Sequence, residues 1–337
     1  MPPSETWRAP RLRVLADGVP ITRATEASVI STGGFCADFF QVRAALAGDA
    51  ADWSAVTSVA IDVQMALDAD VGFVSIVQGY ADAIGIDPIT GTLSIEGRDY
   101  AAQLIEARTQ ETFANQTSSE IATILALRHG LLPDVLPTFT PVGRYWELEY
   151  DSLTLAAGAR ATTEWDLLAT LAGWEGFELW VSGPVLHFRP PELTIPMPVL
   201  GVADFAALRL ERALAFAGDI SVVVKSWHSR AGSGTTQTAA TARGAGRTQD
   251  YVFVVPNLTP DAAQLLADRR LAEIAVHERL LRAEMPGELL LMPPMYFTLA
   301  GTGTLYDGIW RIEEAERRMS MREGFSQILR ASSSTPV

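Results

Sequence analysis

The chain has 337 residues, 48% of them apolar, which is enough for two or three compact domains and too apolar for a disordered chain. Forty acidic residues against 26 basic ones leave a net charge of −14, which repels a phosphate backbone and argues against specific nucleic-acid binding. A single cysteine, Cys36, excludes an intrachain disulfide and a cysteine-based metal site, and reads as a small buried thiol.

The N-terminal stretch MPPSETWRAPRLRV lacks the basic start and apolar run of a signal peptide, so folding in a bacterial cytoplasm is expected. RLRVLADGVPI then reads as a hairpin turning at Asp17-Gly18. Further strands are expected at Phe35–Phe40, Ala60–Met65, Phe73–Tyr80 and Thr92–Glu96, the last after turns at Asp87-Pro88 and Thr90-Gly91.

The period changes near residue 100. Tyr100–Ala107 reads as a short helix. Thr117-Ser118-Ser119-Glu120 is a capping box ahead of Ile121, Ile124, Leu125 and Arg128 at helical spacing, with Gly130 as the left-handed stop. A third helix is expected from near Thr163, burying Leu167, Leu168 and Leu171 and stopping at Gly173. Strands Phe177–Val181 and Val185–Phe188 follow, joined by Ser182-Gly183-Pro184, and the proline-rich RPPELTIPMP marks a boundary.

Beyond residue 200, Asp219–Trp227 and Asp250–Val255 are rich in β-branched and aromatic residues. The segment between them, 228–250, reads as a flexible loop or the tip of a long hairpin and is the candidate partner contact. Thr259-Pro260-Asp261 starts a long helix expected to run to Ala283, ahead of Pro286-Gly287. The remainder reads as strands and turns. The apolar stretch Leu289–Ala300 is too short to span a bilayer and contains Pro293 and Pro294.

No catalytic constellation stands out, and no catalytic, cofactor-binding or metal-ligating residue is assigned. His129, His187, His228 and His277 show no metal-ligand spacing; His129 suits the C-terminal end of a helix dipole. Glu313, Glu314 and Glu316 neighbour one another, but adjacent strand residues face opposite ways, so Glu313 and Glu314 read as a solvated edge and not as a hydrolase pair. Gly301-Thr302-Gly303 precedes a strand, and the small-residue stretch Gly232–Thr236 reads as a surface loop; neither is a phosphate cradle. Trp146, Trp165, Trp174, Trp180, Trp227 and Trp310 read as core packing before sugar stacking. Lys225 is the one lysine.

The order of blocks resembles phage late control protein D and related tail hub proteins, a group that includes baseplate hubs and the N-terminal part of type VI secretion spike proteins. The matching segments are LSIEGRDYAAQLIEART with Gly97, Arg98, Asp99 and Leu104; SSEIATILALRHGL; and TTEWDLLATLAGWEGFELWVSGPVLHFRPP, ending at Phe188-Arg189-Pro190. The helix carrying Ala262, Leu265, Ala272 and Ala275 fits as well. So does the closing hairpin, with Gly308, Trp310 and Ile312 in one strand and Gly324, Phe325 and Leu329 in the other; Glu316 or Arg317 stands where relatives often carry histidine.

The resemblance implies an α+β, mostly β fold with two tail-tube-like β-barrel modules and smaller helical and strand inserts: 1–100, a middle module 101–200, and 201–337 with the long helix 260–283. It implies a homotrimeric ring joining tail tube to tip or spike and enclosing a channel for DNA, with no enzymatic activity and no cofactor. Implied partners are the tube or distal tail protein, the spike or central tip protein and the tape measure protein. The implied location is the tail tip or baseplate of a virion assembled in the host cytoplasm. An acidic channel lining is expected from the net charge. A tail-tip cell-wall hydrolase and a carbohydrate-binding tip protein are the alternatives. A type VI spike normally continues into a C-terminal β-helical needle, for which the ending SSSTPV leaves no room.

Overall fold

The computed structural model describes residues 8–68, 72–108, 111, 113, 115–139, 141–142, 163–193, 196–228, 233–241, 248–255 and 258–333. The first strands are β1 (Arg11–Ala16), β2 (Val19–Pro20), β3 (Ala24–Thr32) and β4 (Phe39–Ala45). A short helix α1 (Ala50–Ala55) leads to β5 (Ala60–Ala66), β6 (Val74–Asp87) and β7 (Thr92–Asp99). The Asp17-Gly18 turn forms with both residues at positive φ, +47° and +80°, which matches the twist of the flanking strands. In β7 the alternation is complete: Leu93, Ile95, Gly97 and Asp99 face inward, and Thr92, Ser94, Glu96 and Arg98 outward. Val14, Val29, Phe40, Val63 and Ile95, drawn from five strands, share one core, so the sheet coils enough for β1 and β3 to meet across it.

The strand expected at Phe35–Phe40 begins only at Phe39, because 33–38 is a connecting loop in which Phe35 takes φ +53°. The sequence pattern does not mark β3, whose inward positions Ala27 and Ser31 are small or polar.

The middle of the chain holds α2 (Ala101–Glu106), β8 (Gln116–Thr117), α3 (Ser118–Arg128), β9 (Leu132–Val135), β10 (Pro141–Val142), α4 (Glu164–Glu175), β11 (Glu178–Ser182) and β12 (Val185–Arg189). The capping box is present: Glu120 N–H donates to Thr117 Oγ1, and Thr117 N–H to the Glu120 carboxylate. Gly130 takes φ +70°. Thr163 caps α4, but the helix continues through Gly173 to Glu175 and stops at Gly176, φ +71°. A helix tolerates an interior glycine at about 1 kcal/mol, whereas the left-handed stop needs one. Leu104, Ile121, Leu125, Leu168 and Leu171 are fully buried together with Leu186 and Phe188 from the small sheet β11-β12-β9.

Then come β13 (Val199–Gly201), β14 (Ala207–Arg212), β15 (Ile220–His228), β16 (Ser233–Ala240) and β17 (Gln249–Val254), followed by α5 (Pro260–Ala275) and β18 (Arg279–Pro286). The chain closes with β19 (Tyr296–Ala300), β20 (Gly308–Ser320) and β21 (Gly324–Ser333). The helix expected over 260–283 therefore ends at Ala275, and residues 279–286 are a strand. Its Leu, Arg, Ala, Glu and Met favour a helix weakly, but pairing on both sides, with β14 and β21, decides the outcome. Part of the 228–250 segment is also strand: β16 pairs antiparallel with β15, while 229–232 and 242–247 lie outside the described residues.

Among the described residues the sheets stay open and no closed barrel forms. One open thirteen-stranded sheet runs β14-β18-β21-β20-β3-β4-β7-β6-β5-β1-β2, with β19 and then β13 branching from β20. The reason lies in β20. Its first half pairs with β19 and its second half with β3, so one edge is divided between strands from opposite ends of the chain. The division falls at a register shift between Ile312 and Glu314. The extra residue there resets the inward parity, so Trp310 and Ile312 point in before it, and Ala315, Arg317 and Met319 after it. Trp310, Ile312 and Ala315 belong to the core of the C-terminal strands, Met319 to that of the N-terminal strands. No helix among the described residues is long and apolar enough to cross a membrane.

Candidate functional site

The residues singled out in the sequence do not converge. His129 Nε2 meets Glu164 at 2.6 Å at the C-terminal end of α3, beside an Arg128–Glu164 ion pair. His187 stacks on Trp180 with centroids 4.4 Å apart, and its Nδ1 meets Asp134 at 2.6 Å. His277 lies near Phe216. The His228 side chain and Trp146 are outside the described residues.

Glu314 pairs with Arg330 and Glu316 with Arg318, while Glu313 takes Arg311 and the Ser332 hydroxyl. Gly301-Thr302-Gly303 forms a loop wrapped on the Asp307 carboxylate, which accepts the N–H of Thr302 and of Gly303. Trp165 and Trp310 are core residues, whereas Trp227 is 56% exposed. Cys36 is exposed, contrary to the buried thiol expected, because the 33–38 loop carries it outside both cores. Among the described residues no group of three or more His, Cys, Asp and Glu side chains is placed to hold a metal ion.

What the fold brings together instead is a junction of three regions around the 33–38 loop. Gly33 N–H donates to Glu313 O at 2.8 Å, tying the loop to the bulge of β20. Arg311 reaches from β20 to Gly33 O and, through two nitrogens at 3.0 and 2.7 Å, to Glu178 at the start of β11. Trp165 Nε1–H donates to Phe35 O at 2.7 Å, so α4 holds the same loop from the other side. Burial works against the charge on Arg311, but the carboxylates of Glu313 and Glu178 outweigh it and raise its pKa. Burial in turn pushes the Glu178 carboxyl up, with Arg311 pulling the other way.

Deeper in the junction sit three charged groups. Arg317 is fully buried; its Nε donates to Glu288 O and its Nη2 to Leu291 O, at 3.1 and 2.6 Å. Burial lowers its pKa to about 10, against the pull of Asp38. Asp38 keeps some surface at solvent while its carboxylate is enclosed and accepts the Thr32 N–H at 2.9 Å. Burial pushes its pKa up to about 6. Asp99, 4% exposed, accepts the Ala101 N–H at the start of α2; burial first and the nearby Asp38 second raise its pKa well above the carboxylate range. A cavity of about 40 Å³ is lined by Asp38 and Asp99 together with Trp180 and Ser182 of β11 and Gly183 of the β11–β12 turn.

Of these junction residues, Gly97-Arg98-Asp99 and Arg317 were visible in the sequence only as points of resemblance. The inward spacing Ala315, Arg317, Met319 is the signal that places the arginine in a core-facing row.

Two surfaces are left uncovered by the described residues. The outward face of the large sheet is polar and its charges are paired: Arg330 to Glu314 and Arg43 to Glu26 across strands, Arg318 to Glu316 along β20, with Gln41 on Glu96. Its end strand β14 leaves an edge bearing Arg209 and Glu211, paired with each other. The small sheet β16-β15-β17 packs one face on α5 through Ile220, Val222, Val224, Ala263 and Ala267. Its other face exposes Val252, Val254 and Trp227 around Lys225.

No protein-family pattern matches this chain, and no curated protein sequence matches it. Solved structures do. A tail protein from Neisseria meningitidis superposes with a TM-score of 0.71 at 14% identity, covering 96% of this chain and 97% of that one. The 43 kDa tail protein of prophage MuSo2 from Shewanella oneidensis gives 0.70 at 17% identity, covering 97% of each chain. The E. coli c3393 protein, a type VI secretion component with structural similarity to the T4 tail proteins gp27 and gp5, gives 0.58 at 10% identity over 97% of this chain and 77% of that one. At such identities the likeness is one of fold: nearly end to end, this chain is built as these phage-tail and type VI secretion proteins are built.

Proposed function

We propose that this protein is a structural hub of a phage or phage-like tail, three copies of which form a ring that joins the tail tube to the tip or spike and surrounds a channel for DNA. The observation that carries the reading is the end-to-end correspondence of fold with two phage-type tail proteins, 97% of each of which is matched. The open sheet supports it physically. An unpaired strand edge is a template for another chain, and a contact between unlike surfaces of identical subunits closes into a ring when the rotation allows. In this reading 1–100 and 201–337 are the two tube-like modules, each completed by a neighbouring copy, and 101–200 is the module beside them. The partners are the tube or distal tail protein, the spike or central tip protein and the tape measure protein. The protein acts at the tail tip or baseplate of a virion assembled in the host cytoplasm, without a catalytic role.

The matched charges on the large sheet change one expectation. If that face lines the channel, the lining is charge-balanced and not acidic, and it avoids holding DNA by neutralising its own arginines. The test is the mass of the purified protein in solution together with negative-stain imaging. A species three times 36.4 kDa, seen as threefold rings with a central hole, is the expected result. A monomer that stays monomeric at high concentration and in the presence of tube protein overturns the reading.

A further inference from the structure

Two carboxylates and one guanidinium are enclosed where the N-terminal strands, the C-terminal strands and the β11–β12 turn meet. We propose that Asp38, Asp99 and Arg317 form a protonation-dependent latch: one proton held by the carboxylate pair keeps the β11–β12 turn seated on the sheet, and its loss loosens that contact.

With both acids ionised the enclosed group carries two negative charges against the single positive charge of Arg317, and an unbalanced charge in a poorly solvated place is costly. Among the described residues the cavity lining holds no cation, and Arg98 is the smallest of the influences on Asp99. The 33–38 loop contributes only Cys36 as a further titratable group, β6 contributes the neutral Gln78, and the lining of the β11–β12 turn has no charged side chain. The 288–294 segment meets Arg317 through the backbone carbonyls of Glu288 and Leu291. Arg98, next to Asp99, points to the outward face, where Asp82 and Glu106 hold its guanidinium. One proton shared by the two acids restores the balance, and its gain or loss is a plain acid–base step at carboxylate oxygens.

The geometry says what responds. The cavity of about 40 Å³ is lined by both the acid pair and the turn, and polar space of that size admits water. Gly183 at the tip of the turn faces Gln78: a Cβ built there would lie 3.4 Å from its Oε1. The turn is thus seated beside the acids by close packing at Gly183, and a second negative charge favours water entering beneath it. The direction follows from linkage. Both folded-state pKa values are raised, to about 6 for Asp38 and well above the usual value for Asp99. Their contribution to seating is therefore complete below the unfolded value near 4 and is lost as pH rises through 6 and beyond. The latch is a property of the single chain and does not depend on ring assembly.

Hydrogen exchange of the intact protein, read by mass spectrometry at pH 5 and pH 8.5 and normalised to intrinsic rates, tests it. Peptides covering 31–38 and 178–186 are expected to lose about tenfold or more in protection at the higher pH, while 220–228 changes less than about twofold. Asp99→Asn keeps the acceptor for the Ala101 N–H and fixes the neutral form, so it is expected to hold protection at pH 8.5. Asp38→Asn, which keeps the acceptor for the Thr32 N–H, serves as the second variant and decides the matter if the first fails to fold. Equal normalised protection at the two pH values in the wild type overturns the proposal. So does a full pH-dependent loss in the neutral variants, or restoration of wild-type protection at pH 8.5 by sodium chloride but not by choline chloride, which would make the balancing charge a bound cation.

Discussion

The three-way junction and the small β15–β17 sheet solve the same problem, covering a β-surface, in opposite ways. At the junction the surface is covered by other parts of the chain, and the polar groups inside are held by specific partners: Arg311 by Glu178, Glu313 and Gly33, Trp165 by the Phe35 carbonyl. On the small sheet a single helix covers one face through alanines, and the other face presents Val252, Val254 and Trp227 to solvent. The first arrangement sets how regions far apart in sequence sit together. The second leaves an apolar surface that no described part of the chain covers. The proposed ring would use both, a fixed internal frame and faces left for neighbours.

The junction is the place to break that comparison first. Arg311 and Glu178 are only 17% and 12% exposed, so deleting one strands the other in a poorly solvated site. Arg311→Ala is expected to cost about 3–5 kcal/mol in the denaturant midpoint, the range for losing one partner of a buried pair. The double variant Arg311→Met, Glu178→Leu should recover much of the loss, because an apolar pair of similar volume fills the site without a stranded charge. If the single variant loses less than 1 kcal/mol, Arg311 is solvated in solution and the junction is looser than its geometry implies.

The helix-covered face of the small sheet comes next. Ala263 and Ala267 are fully buried against β15 and β16, and only a methyl group separates α5 from the strands. Ala267→Leu should destabilise by about 1–3 kcal/mol through overpacking, measured by thermal or denaturant unfolding. Enlarging Leu265, which is 50% exposed on the opposite side of α5, by Leu265→Phe should be nearly neutral. Equal effects at the two positions would mean that α5 is not seated on this sheet as described.

These contrasts also explain what the sequence revealed. Local signals were readable because their physics is local: the Thr117–Glu120 box, the Thr163 and Thr259 caps and the Asp17-Gly18 turn all formed as expected. Elements decided by distant partners were not. Residues 279–286 carry helix-formers and are strand because β14 and β21 lie on either side. The joining of β20 to β3 depends on a pairing such as Glu314 with Thr32, nearly the whole chain apart, and on one extra residue at Glu313 that no pattern announces. The candidate site was less legible still. Asp99 and Arg317 are charged residues at inward strand positions and Asp38 sits in the 33–38 loop, and a sequence shows that a residue is charged long before it shows which way the backbone turns it.

The smallest effect is expected on the open face of the small sheet, and it is the most useful for telling a free surface from a covered one. Val254 is 73% exposed, so Val254→Thr, nearly isosteric, should shift the stability of the dilute monomer by no more than about 0.5 kcal/mol. Trp227 is less free: its ring lies so close to Gly234 that a Cβ there would sit 2.9 Å from it, and changing it would disturb β16 as well. Val254 therefore isolates the face itself. If copies bury this face against one another, the cost of Val254→Thr will grow with protein concentration, because the hydroxyl must then be desolvated in the contact. If the face is left for a different protein, the cost stays small at every concentration of this protein alone. Unfolding curves of the wild type and the variant across a hundredfold range of concentration separate the two cases.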